Sequence, residues 1–394
     1  MKRNQITIRA KDLILFIFIL VSCKSQNNNL YQFDPTSIEK NNISLSEIAD
    51  DVTYIPLDNT LPLGLIYKYE FVNNSIYLST KDLGILVYSR SGKFIRRIGK
   101  IGRGPGEYIY PMHFTVNNKT ETTYVLDGNG IIKIYSKTGR FLRSLLLTVY
   151  GESTDDIDLF DSKLFIHYML QFPDKKYDWI VLDSLGNLLK KKDLTFQSIT
   201  TKWGEDGGTY RFEDNLYYWN PFNDTVFSIL PDLRCHVSFL IKPGEHRFPI
   251  YDVQSFEQFA QYMHLQQIFE SKKFIVIRYH YKENYLVLIN KSDSKSYLMR
   301  LEYESNNVGS DILGGILNNF DGGIMLLPDN YFAENDREFV SALIGPYKIK
   351  TLVSGFEFRN SSPKNLNKKK IFEELAYGLK ETDNPVLMVV RLKK

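Results

Sequence analysis

Only two cysteines occur in 394 residues, which excludes a scaffold built on disulfides and leaves the fold to an apolar core. The six histidines, His113, His167, His236, His246, His264 and His280, never fall at zinc-ligand spacings. No G-x-S-x-G elbow occurs, and Cys235 is expected in an apolar strand, where a thiol is usually inert. No cluster of Lys and Arg with interleaved aromatics is present. The densest basic run, "KNLNKKKIFEE", is answered at once by Glu373 and Glu374, so nucleic acid is not an expected partner. Alanine is scarce, which speaks against a helical protein. The apolar run from Leu13 to Val21 is too short to span a bilayer as a helix.

What is present begins with that run. "MKRNQITIRAKDLILFIFILVSCKS" sets a basic segment (Lys2, Arg3, Arg9, Lys11) before nine apolar residues and ends in Leu20-Val21-Ser22-Cys23, the pattern of a secretory signal. The last four residues resemble a bacterial lipobox, which implies cleavage before Cys23 and lipidation of that residue. Residues 1–22 are thus expected to be a lipoprotein signal peptide, and 23–42, with "KSQNNN", a polar tether. Removing residues 1–22 leaves 45 basic and 45 acidic side chains, so the mature chain carries no electrostatic signature of a polyanion partner. "KSQNNN" lacks the acid-rich tract that often directs surface export, which favours a periplasm-facing anchor and leaves surface exposure open.

The remainder, 43–394, is long enough for a large core. Aromatics make up 14% of the chain, with 26 Tyr and 26 Phe, a bias toward pleated strands. "VYSRSGKFIRRI" (87–98), "IYSKTGRFLRSL" (134–145) and "VLDSLGNLLKKK" (181–192) repeat with a 47-residue period marked by Gly92, Gly139 and Gly186. Between 77–98 and 124–145, seven of 22 aligned positions are identical without a gap. Each unit reads as strand, polar turn, strand, glycine-bearing turn, strand, the grammar of a propeller blade. The glycines fall where a turn with a bulge needs a positive φ.

Later units, "NLYYWNPFNDTVFSILPDLRCHVSFLI" and "KKFIVIRYHYKENYLVLINKSDSKSYLMRLE", keep the rhythm. "FDGGIMLLPD" opens a sixth and "NPVLMVVRLKK" supplies its terminal strand. The count gives an all-β fold, a six-bladed β-propeller of four-stranded antiparallel blades with short helical insertions; five blades is the rival count. "NISLSEIADDVTYIPLD" is expected to pair with the C-terminal strand and close the ring. Helices are expected in "DVQSFEQFAQYMHLQQIFES", on a face of Val253, Phe256, Phe259, Ala260 and Met263. A second is expected in "KKKIFEELAYGLKE", with Ile371, Phe372, Leu375, Ala376 and Leu379.

"GKIGRGPGEYIYP" (99–111) carries four glycines. A P-loop would need Lys and then Ser or Thr after the last glycine, and Gly106 is followed by Glu107. A dinucleotide loop would open a helix, which Pro105 and Pro111 oppose. The stretch reads as a connection between blades, with Gly104 and Gly106 valued for their backbone. Glu107 is expected either to face an axial ligand or to accept from neighbouring N–H groups, the second being favoured.

The G-x-G-x-G-P-G-E-Y-x-x-P string after "FIRRIG", with "ISLSEIADDVTYIPLD", "NDTVFSI" and "DNPVLMVVRLK", resembles the NHL-like six-bladed propeller lipoproteins of Bacteroides-type bacteria. That resemblance spans residues 43–394 and implies a fold and an envelope location, with no catalytic residues and no cofactor. The expected function is a non-enzymatic, lipid-anchored module binding a protein or small molecule. The alternative is a calcium-dependent hydrolase or lyase using the axial pocket. Candidate axial residues are Arg103, Glu107, Asp127, Asn129, Asn223 and Asp224; turn chemistry explains the Asp and Asn residues equally well. Three or more oxygens converging on the axis would favour the hydrolase, and an apolar or plugged axis the binding module.

Overall fold

The computed structural model describes residues 31–38, 41–128, 130–151, 154–170, 175–195, 207–249, 253–306 and 309–394. The signal peptide, Cys23 and Asn129 lie outside the described residues. Six antiparallel sheets follow one another along the chain. The first comprises Ile66–Val72, Ser75–Thr80, Gly84–Ser89 and Phe94–Ile98, and the second His113–Val116, Thr123–Asp127, Ile131–Tyr135 and Phe141–Leu146. The third runs through Thr154–Phe160, Lys163–Tyr168, Tyr177–Leu182 and Leu188–Asp193. The fourth holds Gly208–Phe212, Asn215–Trp219, Thr225–Ile229 and Cys235–Ile241; Tyr31–Phe33 adds a fifth strand, parallel to the last. The fifth is His264–Glu270, Phe274–Tyr281, Glu283–Asn290 and Ser296–Asn306, extended by Gly309–Leu313. The sixth joins Asn330–Glu334, Arg337–Ile344 and Val386–Leu392 to Ala49–Pro56 from the other end of the chain.

The first strand of each sheet is innermost, because these strands touch one another around a ring. Lys68 lies over the Phe114 ring, His113 contacts Asp156, and Arg211 contacts Asp158. Tyr210 donates to Glu270, Gln267 to the Asp329 carbonyl, and Asn330 to the Tyr69 carbonyl, which returns to the first sheet. The six sheets are the blades of an all-β propeller. Its ring is closed as expected: Val52 pairs with Val390 and Tyr54 with Met388. The pairing removes the exposed edge that an open ring would leave.

The repeat identities are explained by packing. Tyr77, Ile85, Tyr88, Ile132 and Tyr135 have no exposed surface and Tyr124 is buried. Ser89 and Ser136 accept from the backbone N–H of Lys93 and Arg140 and so cap their turns. Gly92, Gly139 and Gly186 have φ of 83°, 86° and 94°. Gly92 and Gly139 also touch the preceding blade through their carbonyls, which accept from Asp58 and Gly99 N–H at 2.8 and 3.2 Å. A side chain at 139 would strike the Arg97 carbonyl.

Three connections interrupt the rhythm. Helix α1 (Leu45–Ile48) precedes the closing strand, and α2 (Phe256–Phe259) lies between the fourth and fifth sheets. Helices α3 (Pro346–Ser354), α4 (Phe356–Asn360) and α5 (Leu366–Gly378) are inserted within the sixth sheet. The helix expected over 252–271 is thus only one turn long. Residues 264–270 are the inner strand of the fifth sheet, where pairing with Phe274–Tyr281 overrides the local period. On α5, Phe372 and Ala376 are buried as expected, whereas Ile371 points to solvent. Cys235 is also exposed rather than embedded, at the start of an outer strand.

His264 begins the fifth inner strand, stacked on Phe259 with its Nε2 2.6 Å from the Phe259 carbonyl. Burial lowers its imidazole from the ordinary 6.5 to about 4, although the carbonyl favours the charged form. The depressed folded value means that the unfolded chain takes up the proton first. This contribution to stability is therefore present above about pH 6.5 and lost as the pH falls toward 4. Denaturant unfolding at pH 7 and 4.5 is expected to show an acid loss about 2.5 kcal/mol larger in the wild type than in His264→Phe. Equal losses would contradict this assignment.

Candidate functional site

On the inner strands, side chains at alternating positions share a face, so Lys68 and Glu70 point the same way, as do Asp156 and Asp158. They meet Arg211 and His113 at the axis. Lys68 Nζ is 3.5 Å from Asp156 Oδ2 and 3.8 Å from Glu70 Oε1. Arg211 places Nη2 3.4 Å from Glu70 Oε2 and Nε 3.2 Å from Asp158 Oδ1. His113 Nδ1 lies 3.1 Å from Asp156 Oδ1, and Thr209 donates to Asp158 at 3.1 Å. Four sheets contribute. Glu70 belongs to the first and Arg211 to the fourth, opposite each other in the ring, so their contact crosses the channel and plugs it.

The charges are unequal in number. Three carboxylates share two permanent cations. Burial alone would lower the Lys68 ammonium, but Asp156, Glu70 and Asp158 outweigh it and raise its pKa. Arg211 is raised in the same way, burial being outweighed by Asp158 and Glu70. For Asp156, burial is overcome by Lys68 and His113, which hold the carboxyl far below the usual range. Glu70 is the least compensated. Its burial prevails over Arg211 and Lys68, and its pKa is raised.

Arg211 also reaches a cavity of about 440 Å³ beside the turns of the second, third and fourth sheets, with Asn117, Lys119, Asp161, Ser162 and Glu213 in its wall. A polar recess walled by three adjacent blades thus lies beside the ion-paired cluster. Three carboxylates do converge, yet each already contacts Lys68 or Arg211. Among the described residues no group of three or more His, Cys, Asp or Glu side chains is arranged to hold a metal ion.

The residues singled out in the sequence lie elsewhere and are not gathered at one point. Arg103 is exposed. Glu107 accepts from Gly104 N–H at 2.8 Å and pairs with Lys100 at 2.7 Å; Lys100 and then that N–H lower its pKa. Gly106 has a φ of 78°, and its carbonyl accepts from the Tyr135 hydroxyl at 3.0 Å. Asp127 is buried and accepts from the N–H groups of Ile109 and Tyr110 at 2.8 and 3.0 Å, which fastens the glycine-rich connection to the second sheet. Asn223 accepts from Thr225 N–H at 3.0 Å, and Asp224 pairs with Arg247.

The residue of that connection that sequence reasoning passed over is Tyr108. It has no exposed surface. Its hydroxyl donates to the Ile98 carbonyl at 2.6 Å and accepts from Ile85 N–H at 2.9 Å, while its ring meets Tyr135 edge-on at 5.8 Å. It joins the first blade to the second. Tyr108→Phe leaves two buried backbone groups short of a partner and is expected to cost about 1–3 kcal/mol. Thermal melting measures this, and an unchanged midpoint would refute the tie.

The sequence matches, over residues 30–391, the family described as a domain of unknown function, DUF4934. No protein of curated function matches it. Among solved structures, an exported protein from Bacteroides fragilis NCTC 9343 is similar with a TM-score of 0.65 and 18% identity, over 92% of this chain and 99% of that one. A member of the DUF4221 family from Bacteroides vulgatus ATCC 8482 gives 0.49 at 13% identity, over 90% and 100%. Virginiamycin B lyase from Staphylococcus aureus gives 0.42 at 8% identity, over 87% and 99%. At these identities only the first likeness bears on this chain, and it concerns the fold alone. With the family match running nearly from end to end, the chain belongs to the DUF4934 family of domains of unknown function.

Proposed function

We propose that this protein is a six-bladed, NHL-like propeller lipoprotein of the cell envelope that binds a polar small molecule or protein group and performs no chemistry on it. The observation that carries this reading is the axial plug, in which Lys68 and Arg211 occupy the oxygens that a hydrolytic metal would need. The recess beside Arg211, with its Asn, Ser, Lys and acidic lining, suits a ligand recognised through hydrogen bonds. The envelope location is supported by the lipobox-like "LVSC" and by the likeness to a protein described as exported.

Two measurements test it. A clickable fatty acid fed to cells is expected to label the wild type and spare Cys23→Ala; equal labelling would remove the anchor from the proposal. Melting the purified chain with excess calcium and with EDTA is expected to give one midpoint. A calcium-dependent rise that disappears in Asp156→Asn would replace the binding module with the metal-dependent hydrolase.

A further inference from the structure

The other blades link their second and third strands by at most eight residues, whereas the sixth inserts residues 345–385 with α3, α4 and α5. Facing those helices is the connection that leads from the fifth sheet to Asn330, and between the two lies a cleft of about 880 Å³. Its volume is about twice that of the recess beside Arg211. It also lies where the chain departs furthest from its own repeat, as functional insertions on a rigid scaffold tend to.

The lining is mainly apolar and includes Ile312, Leu317, Met325, Leu327, Leu352 and Phe358. The polar groups present are largely engaged with the protein itself. Asn318 donates to Asp321 and the Ile324 carbonyl and accepts from Phe320 and Asp321 N–H. Asn319 accepts from Ser46 N–H, and Ser361 donates to the Phe358 carbonyl. Asp329 accepts from Leu343 N–H at 3.2 Å and faces Arg278 at 3.8 Å. Lys348 also acts electrostatically on Asp329, and Glu357 is the remaining charged side chain of the wall. Counting Arg278, the two cations and two carboxylates offset one another, so no net charge is left over for a headgroup.

We infer that this cleft is a second binding site, which takes an uncharged, largely hydrocarbon small molecule. Its volume falls in the ~300–1,000 Å³ range of such sites, and burial of the ligand's apolar surface supplies the affinity. Leu317 and Met325 are 54% and 47% exposed. They stand at the mouth as apolar side chains that a ligand would cover. The inference is independent of the axial recess, whose ligand is polar.

The test uses the uncharged fluorophore N-phenyl-1-naphthylamine with the full chain. Its emission is expected to rise to a one-to-one plateau. Leu317→Glu and Met325→Glu, both at exposed positions, are expected to weaken binding at least tenfold without moving the melting temperature. The anionic anilinonaphthalenesulfonate is expected to bind less tightly than the neutral dye. The inference is overturned by emission that never saturates, by equal binding in both variants, or by tighter binding of the anion. It is also overturned by a wild-type dimer that Leu317→Glu dissociates, which would assign the surface to a second copy.

Discussion

Cutting the chain after Asp383 is expected to leave no folded monomer. The lost segment Val386–Leu392 is an interior strand of the sixth sheet, paired on one side with Ala49–Pro56 and on the other with Arg337–Ile344. Val386, Leu387, Met388 and Val390 have no exposed surface. At about 1.5–3 kcal/mol each, their burial amounts to roughly 6–12 kcal/mol, comparable to the ~5–15 kcal/mol that holds a typical domain. The cut also removes Asn384, which bridges Leu63 N–H to the carbonyls of Asp58 and Leu61. Two bare strand edges would then face solvent and promote aggregation. Size-exclusion chromatography and circular dichroism report the outcome. A monomeric truncated protein with an unchanged melting point would mean that the ring is not closed this way.

Replacing Arg211 by Met is expected to be the most damaging single substitution on the axis. It removes a cation from two buried carboxylates, Glu70 at 3.4 Å and Asp158 at 3.2 Å, leaving them Lys68 at 3.8 Å and the Thr209 hydroxyl. Losing one partner of a buried ion pair costs about 3–5 kcal/mol. The lower end applies, because the Arg211 side chain keeps 39% of its surface accessible. The pair of exposed Lys137 with buried Glu121, at 2.8 Å, provides the contrast: Glu121 keeps Arg96, Asn73 and Tyr77 as partners, so Lys137→Met is expected to cost less than about 1 kcal/mol. Urea unfolding of the two variants separates them. Similar small losses would show that the axial charges are solvated and spend little in pairing.

The first two blades were legible because their repeat is ungapped and its identities are core residues, turn caps and glycines with positive φ. The fifth was legible only in part. Its inner strand His264–Glu270 follows directly on a helix-like run, and the two periods merge in sequence though not in structure. The axial site was hidden for a different reason. In "IYKYEF", "TDDIDLF" and "TYRFED", charges alternate with apolar residues, which reads as a strand with one face in water. Here that face looks into the centre of the ring. The usable signal was positional: Lys68, Glu70, Asp156, Asp158 and Arg211 all lie on the first strand of their unit, the strand a propeller places innermost. By contrast, Asp127, Asn223 and Asp224 belong to turns and strand ends whose backbone they serve. Tyr108 went unnoticed because nothing local reveals that its hydroxyl enters the preceding blade.

Glu70 and Arg211, on opposite blades, pair across the axis. A double-mutant cycle of Glu70→Gln and Arg211→Met, read by urea unfolding, measures that pairing directly. The expected coupling is at least about 1.5 kcal/mol, with the double variant far less destabilised than the sum of the singles. Additivity within about 0.5 kcal/mol would contradict it and leave the axis an open, solvated channel.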